Sequence, residues 1–437
     1  MTSAGLRRPV GSSRWSPSTG RLTPIPPSAV VRLPDGQTFR AGVSPLPARR
    51  RPAATLSVLD VTEWYGATSG GIRTYLHEKA RYIGARPDLR QVIVVPGAVD
   101  QIDDAPGVRM YRLRGPRIPG QPPYRFMLAM RSLMRIAQHE RPHVIEIGSP
   151  FLVPWIMQRA TRHLDIPLLC FHHTNVPQLL GGLGQSTRPW TPHVESGVWR
   201  YLRRLDRLFP LTIVTSRVAA RELAAHGIER VVRVPLGVDL DTFTPVRCER
   251  RTETRAALGL PDAPLFGYAG RFAREKALDV VLDAWPAIEA QTGARLVLAG
   301  AGPMAERLRR HPAADRVIFL PFEQDRGRLA DYLACLDVYL SPGPIETFGL
   351  APLEALACGI PVLAPAAGGA GEHVEESGAG RVYVPGCAAS LTEEAVALLQ
   401  ADLVGLGLRG RHYAEREHAW DTVFDRLMAV YRSVVAT

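Results

Sequence analysis

Long apolar runs are absent from this 437-residue sequence. A membrane-spanning helix needs about 18 or more consecutive apolar residues, whereas the most apolar stretch, 150–157, is short and contains two prolines. The start of the chain also lacks the apolar segment that secretory signals contain. We therefore expect neither a spanning helix nor a secretory signal.

Cysteine and lysine are both scarce. The five cysteines are odd in number, widely spaced and without a C-x-x-C pair, which favours a reduced, cytosolic protein over a disulfide-stabilised one. Only two lysines occur, Lys79 and Lys276. An enzyme that binds pyridoxal phosphate through a lysine would have to use one of these two, and neither has suitable sequence surroundings.

The excess of positive charge is confined to one end. The net charge is +11, but residues 1–54 contain nine arginines and a single Asp, so the rest of the chain is close to balanced. A nucleic-acid-binding domain would carry its basic surface on the fold itself. The same 54 residues are rich in Pro and Ser and have no apolar periodicity, which predicts a disordered extension. A transit peptide and a translation start placed too far upstream both remain open.

The remaining residues contain apolar strand patterns that alternate with helical ones, and 46% of the whole sequence is apolar. Such alternation is typical of α/β domains with parallel sheets. Two sets of alternating elements are separated by a charged, polar stretch, 247–264, which we interpret as a linker. A chain of this length is sufficient for two to three domains.

Residues 341–361 hold the most informative pattern. They follow an apolar run, and their first half is rich in Pro and Gly, which predicts strand, loop, helix and strand in succession. Such a loop lies where parallel sheets bind ligands, and the following helix start favours an anion. Glu346 and Glu354 would be unfavourable beside an anion unless each met a hydroxyl donor such as a sugar or a ribose. Both are also compatible with ordinary solvated positions.

Other residues of binding type follow predicted strands. Gly70 and Gly71 precede a helical pattern and would allow close approach of a phosphate. His172 and His173 end another strand, and Arg271 and Lys276 flank a strand-to-helix turn where both could bind phosphate. A tight turn, buried histidines and solvated charges are the structural alternatives for these three features.

Taken together, these motifs resemble glycosyltransferase family 4. The resemblance covers residues 55–437 and implies the GT-B fold, an α/β architecture of two doubly wound Rossmann-like domains facing a central cleft. It rests on the order and spacing of five motifs: Gly70-Gly71, His173-Thr174-Asn175, Gly237-Val238-Asp239 with Phe243, Arg271 with Lys276, and Glu346-x7-Glu354.

Asp239-Leu240-Asp241 also spells the D-x-D metal signature of the other large glycosyltransferase fold. We reject a metal site there because the other motifs place phosphate binding elsewhere, and we expect Asp239 to be a turn or cap residue. The implied domains are a disordered basic extension, 1–54; an acceptor-side domain, 55–245; a nucleotide-sugar-binding domain, 246–415; and a C-terminal helix, 416–437, that packs back on the first domain.

The resemblance implies an enzyme of the hexosyltransferase class (EC 2.4) that moves a hexosyl group from a UDP- or GDP-linked sugar to an acceptor hydroxyl with retention. No metal or cofactor is required in that family. The implied catalytic residues are His173, Glu346, Arg271 and Lys276. The implied donor-binding residues are Gly70, Gly71, Arg271, Lys276, Glu346, Phe348, Gly349, Leu350 and Glu354.

Several alternatives remain open at this stage. The acceptor could be a lipid, as for a mannosyl- or glucosyl-type transferase, or a soluble small molecule or polysaccharide. An epimerase of the same fold would lack the Glu346-x7-Glu354 loop, and a non-catalytic nucleotide-sugar-binding protein would not need His173.

Two segments favour a lipid or lipid-linked acceptor. Residues 124–136 and 199–209 both read as basic amphipathic helices, a pattern of interfacial binders. The expected location is the cytoplasm, with peripheral attachment to the anionic inner face of the plasma membrane. Packing of both apolar stripes on the sheet is the alternative. We expect no nucleic acid as a partner.

Overall fold

The computed structural model describes residues 13–15, 22–24, 56–66, 70–119, 124–173 and 192–436. The chain divides into two compact units. The first consists of Met1–Phe171, Leu205–Pro210 and Ala429–Thr437, and the second of His172–Arg204 and Leu211–Met428. The sequence-based domain boundary near residue 245 stays a prediction.

A short antiparallel pair lies within the basic extension. Strands β1 (Ser13–Trp15) and β2 (Leu22–Pro24) place Arg14 opposite Thr23. This pair was not predicted from the sequence. The other residues of 1–54 lie outside the described part of the chain, so their disorder stays a prediction.

The first unit is built on a parallel-rich sheet with order β8-β7-β3-β4-β6-β5. Only the edge strand β5 runs antiparallel to its neighbour. All six residues of the central strand β3 are buried, as is typical of a parallel strand in a sheet with both faces covered by helices. The strands are β3 (Leu56–Val61), β4 (Leu89–Gly97), β5 (Gln101–Ala105), β6 (Val108–Arg114), β7 (Val144–Ile147) and β8 (Leu168–His172). The described helices of the first unit up to residue 173 are α1 (Gly70–Gly84), α2 (Met130–Glu140) and α3 (Val153–Thr161).

A charged cluster is buried in the core of the first unit. The Lys79 ammonium donates hydrogen bonds to Asp60 Oδ1 (2.6 Å) and to the Tyr431 hydroxyl (2.5 Å), and it lies 3.5 Å from Glu146 Oε1. Tyr75 and Tyr431 both donate to the Glu146 carboxylate. Burial raises the pKa of Glu146 to about 7, despite the opposing charge of Lys79. Lys79 is therefore committed to an internal network.

The second unit contains a six-stranded parallel sheet with order β13-β12-β11-β14-β15-β16. Its strands are β11 (Leu265–Arg271), β12 (Arg295–Ala301), β13 (Val317–Leu320), β14 (Val338–Leu340), β15 (Val362–Pro365) and β16 (Gly380–Tyr383). A parallel pairing also joins β9 (Leu211–Val214) to β10 (Val231–Arg233). From β11 the strand order runs outward in both directions, so β11 and β14 flank a topological switch point. Open α/β sheets bind ligands beyond the carboxyl ends of the strands at such a point.

Helices cover the sheet of the second unit, and its main core cluster is built from hydrophobic and aromatic side chains. Trp285 is completely buried and meets Phe266 of β11 edge-on, with ring centroids 5.7 Å apart. The helices from 192 onward are α4 (Pro192–Asp206), α5 (Arg217–Ala225), α6 (Arg251–Ala257), α7 (Leu278–Thr292), α8 (Ala305–Arg309), α9 (Arg326–Ala334), α10 (Leu350–Ala357), α11 (Gly368–Ser377), α12 (Ala388–Leu399), α13 (Leu403–His418) and α14 (Trp420–Val435).

Three local predictions differ from the structure. The stretch 247–264, interpreted as a linker, has helical structure that the sequence did not indicate, namely part of a 3-10 helix (Pro245–Arg250) and α6. The C-terminal helix predicted within 416–437 begins at Trp420, since Ala419 adopts an extended conformation and ends α13. The basic segment 124–136 is helical only from Met130.

The second basic segment does not offer an apolar face to a membrane. Trp199 and Leu202 of α4 are buried in a cluster with Val214, Leu223 and Ile228. The amphipathic pattern of 199–209 therefore reflects packing on neighbouring elements, which was the structural alternative. In the described part of the chain, no helix combines the length and apolarity that crossing a membrane requires.

Candidate active site

The succession of strand, loop, helix and strand predicted around residues 341–361 is confirmed by β14, α10 and β15. Gly349 precedes α10 with a φ of 91°, in the left-handed region that favours glycine. A Cβ at this position would also come within 2.9 Å of the Pro352 ring. The glycine therefore lets the loop turn sharply into the helix, and the first N–H groups of α10 follow directly after the loop at the switch point.

Lys276 and Glu346 form an ion pair at this point of the sheet. Lys276 ends the 3-10 helix that follows β11, and Glu346 lies on the loop that follows β14. Both side chains remain about one-quarter exposed. Burial alone would lower the pKa of Lys276, but the Glu346 carboxylate offsets it and the pKa is raised. The ammonium is therefore charged at neutral pH and accessible to an anionic ligand.

Close packing of the two loops keeps this pair together. A Cβ on Gly343 would come within 2.8 Å of the Glu275 carbonyl oxygen and within 3.2 Å of the Lys276 Cα. Any larger residue would force the loops apart. The sequence placed Lys276 and Glu346 in one site without indicating that they contact each other.

Arg271 ends β11, and its side chain pairs with Glu275, four residues further along the chain. Its side chain is two-thirds exposed. An exposed pair of this kind contributes little to stability. The guanidinium can therefore leave Glu275 for a stronger bidentate partner such as phosphate at small cost.

A second glycine-rich turn supports the Glu346 loop. The Gly369 N–H, near the start of α11, donates to the Glu346 carbonyl oxygen over 2.6 Å. Gly368 has a φ of +67°, and a Cβ on Gly369 would come within 2.2 Å of the Phe348 carbonyl oxygen. The sequence assigned no specific role to this turn. In the structure, the Gly368-Gly369 turn supports the backbone of the Glu346 loop through this hydrogen bond.

Phe348 is held in a buried aromatic cluster. Its ring meets His373 edge-on at 4.7 Å and lies 5.7 Å from His418. Tyr413 donates to Glu376, so its oxygen accepts the hydrogen bond from His373 Nδ1. Burial lowers the pKa of His418 to about 4 and lowers that of His373 as well. With its ring only 4% exposed, Phe348 could contact a donor only through its backbone.

His173 lies at the end of β8 and is linked to the same loop. The Thr347 hydroxyl donates to the His173 carbonyl oxygen over 3.1 Å. The neighbouring His172 is neutral at physiological pH, because burial lowers its pKa to about 4. The backbone of His173 therefore lies beside the loop that carries Glu346, and a catalytic role for His173 stays a prediction. Thr174 and Asn175 of the same motif lie outside the described residues.

Glu354 lies on α10 and is almost completely buried. Its Oε1 accepts a hydrogen bond from Arg326 Nη1 over 2.8 Å. Burial raises the pKa of Glu354, against the opposing charge of Arg326. Arg326 was missed in the sequence, where no motif distinguishes it from other surface arginines.

The predicted turn role of Asp239 is confirmed. Asp239 Oδ1 accepts the N–H groups of Asp241 (3.2 Å) and Thr242 (3.0 Å). The described residues contain no group of three or more His, Cys, Asp or Glu side chains placed to hold a metal ion.

Gly70 and Gly71 belong to the first unit, where they open α1. Leu350 is the first residue of α10. Donor binding by these three residues stays a prediction.

Two family profiles match the chain. The one described as Glycosyltransferase Family 4 matches residues 69–242, and the one described as Glycosyl transferases group 1 matches residues 263–401. Together they cover both compact units.

Similar characterised proteins come from Mycobacterium tuberculosis. The GDP-mannose-dependent alpha-(1-6)-phosphatidylinositol dimannoside mannosyltransferase is 31% identical over 315 residues, which cover 70% of this chain and 79% of that protein. A GDP-mannose-dependent alpha-mannosyltransferase is 30% identical over 75% of this chain and 82% of that protein.

Solved structures with the same fold include a sucrose-phosphate synthase from Thermosynechococcus elongatus. It has a TM-score of 0.70 and 22% identity, and the match covers 87% of this chain and 99% of that one. WaaG, a glycosyltransferase involved in lipopolysaccharide biosynthesis, has a TM-score of 0.63 and 14% identity over 86% of this chain and 99% of that one. The chain therefore belongs to glycosyltransferase family 4 and is a glycosyltransferase with the GT-B fold.

Proposed function

We propose that this enzyme transfers a mannosyl group from GDP-mannose to a hydroxyl of a lipid or lipid-linked acceptor, with retention of the anomeric configuration. The Lys276–Glu346 ion pair at the switch point of the second unit carries the proposal, because it combines a cation for a diphosphate with a carboxylate for sugar hydroxyls. The names of the mycobacterial relatives support GDP-mannose as donor, and one of them names a phosphatidylinositol mannoside.

In this mechanism the departing diphosphate gains negative charge as the glycosidic bond breaks. Lys276, Arg271 and the N–H groups at the start of α10 stabilise that charge, and such preorganised electrostatics are usually the largest catalytic contribution. Glu346 orients the sugar, His173 assists near its hydroxyls, and Glu354 binds the ribose. No covalent nucleophile takes part.

These positive groups make a metal ion unnecessary in the proposed reaction. Phosphoryl and diphosphate leaving groups are stabilised either by bound cations or by side chains and helix starts. We expect full turnover in excess EDTA. A loss of activity that Mg²⁺ or Mn²⁺ restores would contradict this part of the proposal.

An exposed apolar patch on the first unit supports action at a membrane surface. Phe126, Leu128 and Met130 are 40%, 52% and 53% exposed. Arg131 and Arg135, on the first turns of α2, are also exposed. Apolar residues beside arginines are typical of interfacial binding, and each arginine near an anionic surface contributes about 1 kcal/mol. We propose peripheral attachment to an anionic, cytoplasmic membrane face.

The donor is tested by incubating the full-length enzyme with GDP-mannose, UDP-glucose and ADP-glucose and measuring release of the nucleoside diphosphate. We expect GDP-mannose to be consumed fastest. Consumption of UDP-glucose alone would contradict the proposed donor. Proton NMR of the product then distinguishes α from β linkage, and a β-linked product would contradict retention.

The acceptor is tested with phosphatidylinositol vesicles against soluble inositol phosphate. Faster transfer to the vesicles supports the lipid acceptor. Transfer to inositol phosphate alone would favour a soluble acceptor.

Membrane attachment is tested separately by sedimentation with liposomes of increasing anionic-lipid content. Protein lacking residues 1–54 is used, so that the basic extension cannot supply the binding. Substitution of Phe126, Leu128 and Met130 by Ser should reduce sedimentation. If the truncated protein stays in the supernatant at low salt, the membrane proposal is wrong.

A further inference from the structure

Glu354 is a buried carboxylate, and among the described residues its only charged hydrogen-bond partner is Arg326. Side chains of a helix tilt toward its N-terminus, so Glu354 is directed toward the first turn of α10, where the proposed site lies. A buried carboxylate is costly unless it is paired. Arg326 therefore favours the ionised form of Glu354 and fixes one of its two oxygens.

The position of Arg326 is itself determined by two local features. Asp325 caps α9, with its side chain accepting the Arg328 N–H over 2.9 Å, so that Arg326 is the first residue of the helix. The Arg326 guanidinium lies over the ring of Phe243, 4.6 Å from its centroid. A guanidinium at this distance from an aromatic face is attracted to it.

Phe243 supplies a rigid base for this contact. It is completely buried, and its N–H donates to the Asp239 carbonyl oxygen over 2.9 Å. The turn capped by Asp239 therefore holds the ring beneath Arg326. A chain of contacts therefore runs from Asp239 through Phe243 and Arg326 to Glu354.

We propose that Arg326 is a positioning residue that orients Glu354 toward the ribose hydroxyls of the donor nucleotide. This inference rests on the proposed function. Glu354 Oε1 is held by the guanidinium, so Oε2 is the atom directed to the ribose. Because Arg326 remains 41% exposed, it can be substituted without opening a cavity in the core.

The test compares binding of GDP with binding of 2′,3′-dideoxy-GDP by isothermal titration calorimetry on the full-length protein. The wild type should bind the dideoxy nucleotide about tenfold more weakly, since it forfeits hydrogen bonds to a charged group. Arg326→Met should weaken GDP binding by a similar factor and leave dideoxy-GDP binding unchanged. The ratio of the two dissociation constants should therefore approach one.

Two further variants separate positioning from general damage. Arg326→Lys keeps the charge and should retain part of the discrimination. Arg328→Met removes an arginine from the same helix that pairs with Glu323 and is 73% exposed, and it should keep the wild-type ratio. If the role of Arg326 were purely structural, Arg326→Met would weaken the binding of both nucleotides equally.

Each outcome decides between the alternatives. If Arg326→Met keeps the wild-type ratio, or if the wild type does not distinguish the two nucleotides, the proposal is wrong. The nucleotide assay requires no sugar transfer, and if the protein binds UDP rather than GDP the same comparison is made with UDP and 2′,3′-dideoxy-UDP. If the wild type binds neither GDP nor UDP, the proposed function itself fails, and this inference with it.

Discussion

The side-chain hydroxyl of Thr347 donates a hydrogen bond of 3.1 Å to the backbone carbonyl of His173. The two residues are 174 positions apart in the sequence, and Thr347 directly follows Glu346. In the proposed mechanism His173 and Glu346 both act on the donor sugar, so this contact links the loops that carry them. Thr347 thus restrains the distance between His173 and Glu346.

Replacing Thr347 with Val should lower kcat about fivefold to tenfold, because one hydrogen bond of about 1 kcal/mol is lost. Thr347→Ser retains the hydroxyl and should keep most of the activity. In a His173→Ala background the Val substitution should have no additional effect on kcat, since the imidazole that Thr347 helps to position is absent. Equal losses in both backgrounds would show that Thr347 acts independently of His173.

Glu346→Gln and Lys276→Ala should each reduce kcat/KM at least a hundredfold, because an oriented charge in a transition state contributes about 2.7–4 kcal/mol. Glu346 lies on a loop, Lys276 ends a 3-10 helix, and both side chains are about one-quarter exposed, so thermal unfolding should change little. Steady-state kinetics and melting curves together provide the measurement. If either variant kept more than half of wild-type kcat/KM, its assigned role would be wrong.

The buried cluster around Glu146 should make stability depend on pH. Burial raises the pKa of Glu146 to about 7 in the folded protein, from 4.5. Between these values the unfolded chain releases its proton while the folded protein retains it, so folding becomes less favourable as pH rises toward 7. Below pH 4.5, protonated Glu146 contributes nothing that depends on pH; from there to pH 7 the free energy of unfolding falls by about 3 kcal/mol. Above the folded-state pKa of Glu146 this free energy no longer changes.

Glu146→Gln is neutral at every pH and isolates this effect. Its stability relative to wild type should increase from pH 5 to pH 7 and then stay constant, as measured by denaturant unfolding. Glu253→Gln is the control, because Glu253 is 73% exposed and should show no such trend. A constant difference between Glu146→Gln and wild type across the range would refute the prediction.

Removal of residues 1–54 should leave a soluble protein with nearly unchanged donor hydrolysis, since a segment without apolar periodicity contributes little to either core. Size-exclusion chromatography and the GDP-release assay provide the measurement. Aggregation of the truncated protein would contradict this prediction.

The sequence by itself determined the α/β architecture, the strand and helix that flank the Glu346 loop, and the turn role of Asp239. These features follow from local physics. Alternating apolar runs specify buried strands, Gly349 permits a left-handed turn before a helix, and an Asp side chain caps the N–H groups that follow it. The motif residues Lys276, Glu346 and His173 were also predicted to share a site.

Only the tertiary structure decided which of these residues touch and which face of each helix is buried. Arg326 looks like any surface arginine until folding brings Glu354 and Phe243 beside it. The amphipathic patterns of α2 and α4 are similar in sequence, yet Trp199 is buried whereas Met130 is exposed. Such outcomes depend on contacts between residues far apart in the chain, and apolar periodicity indicates that a face is buried without specifying its partner.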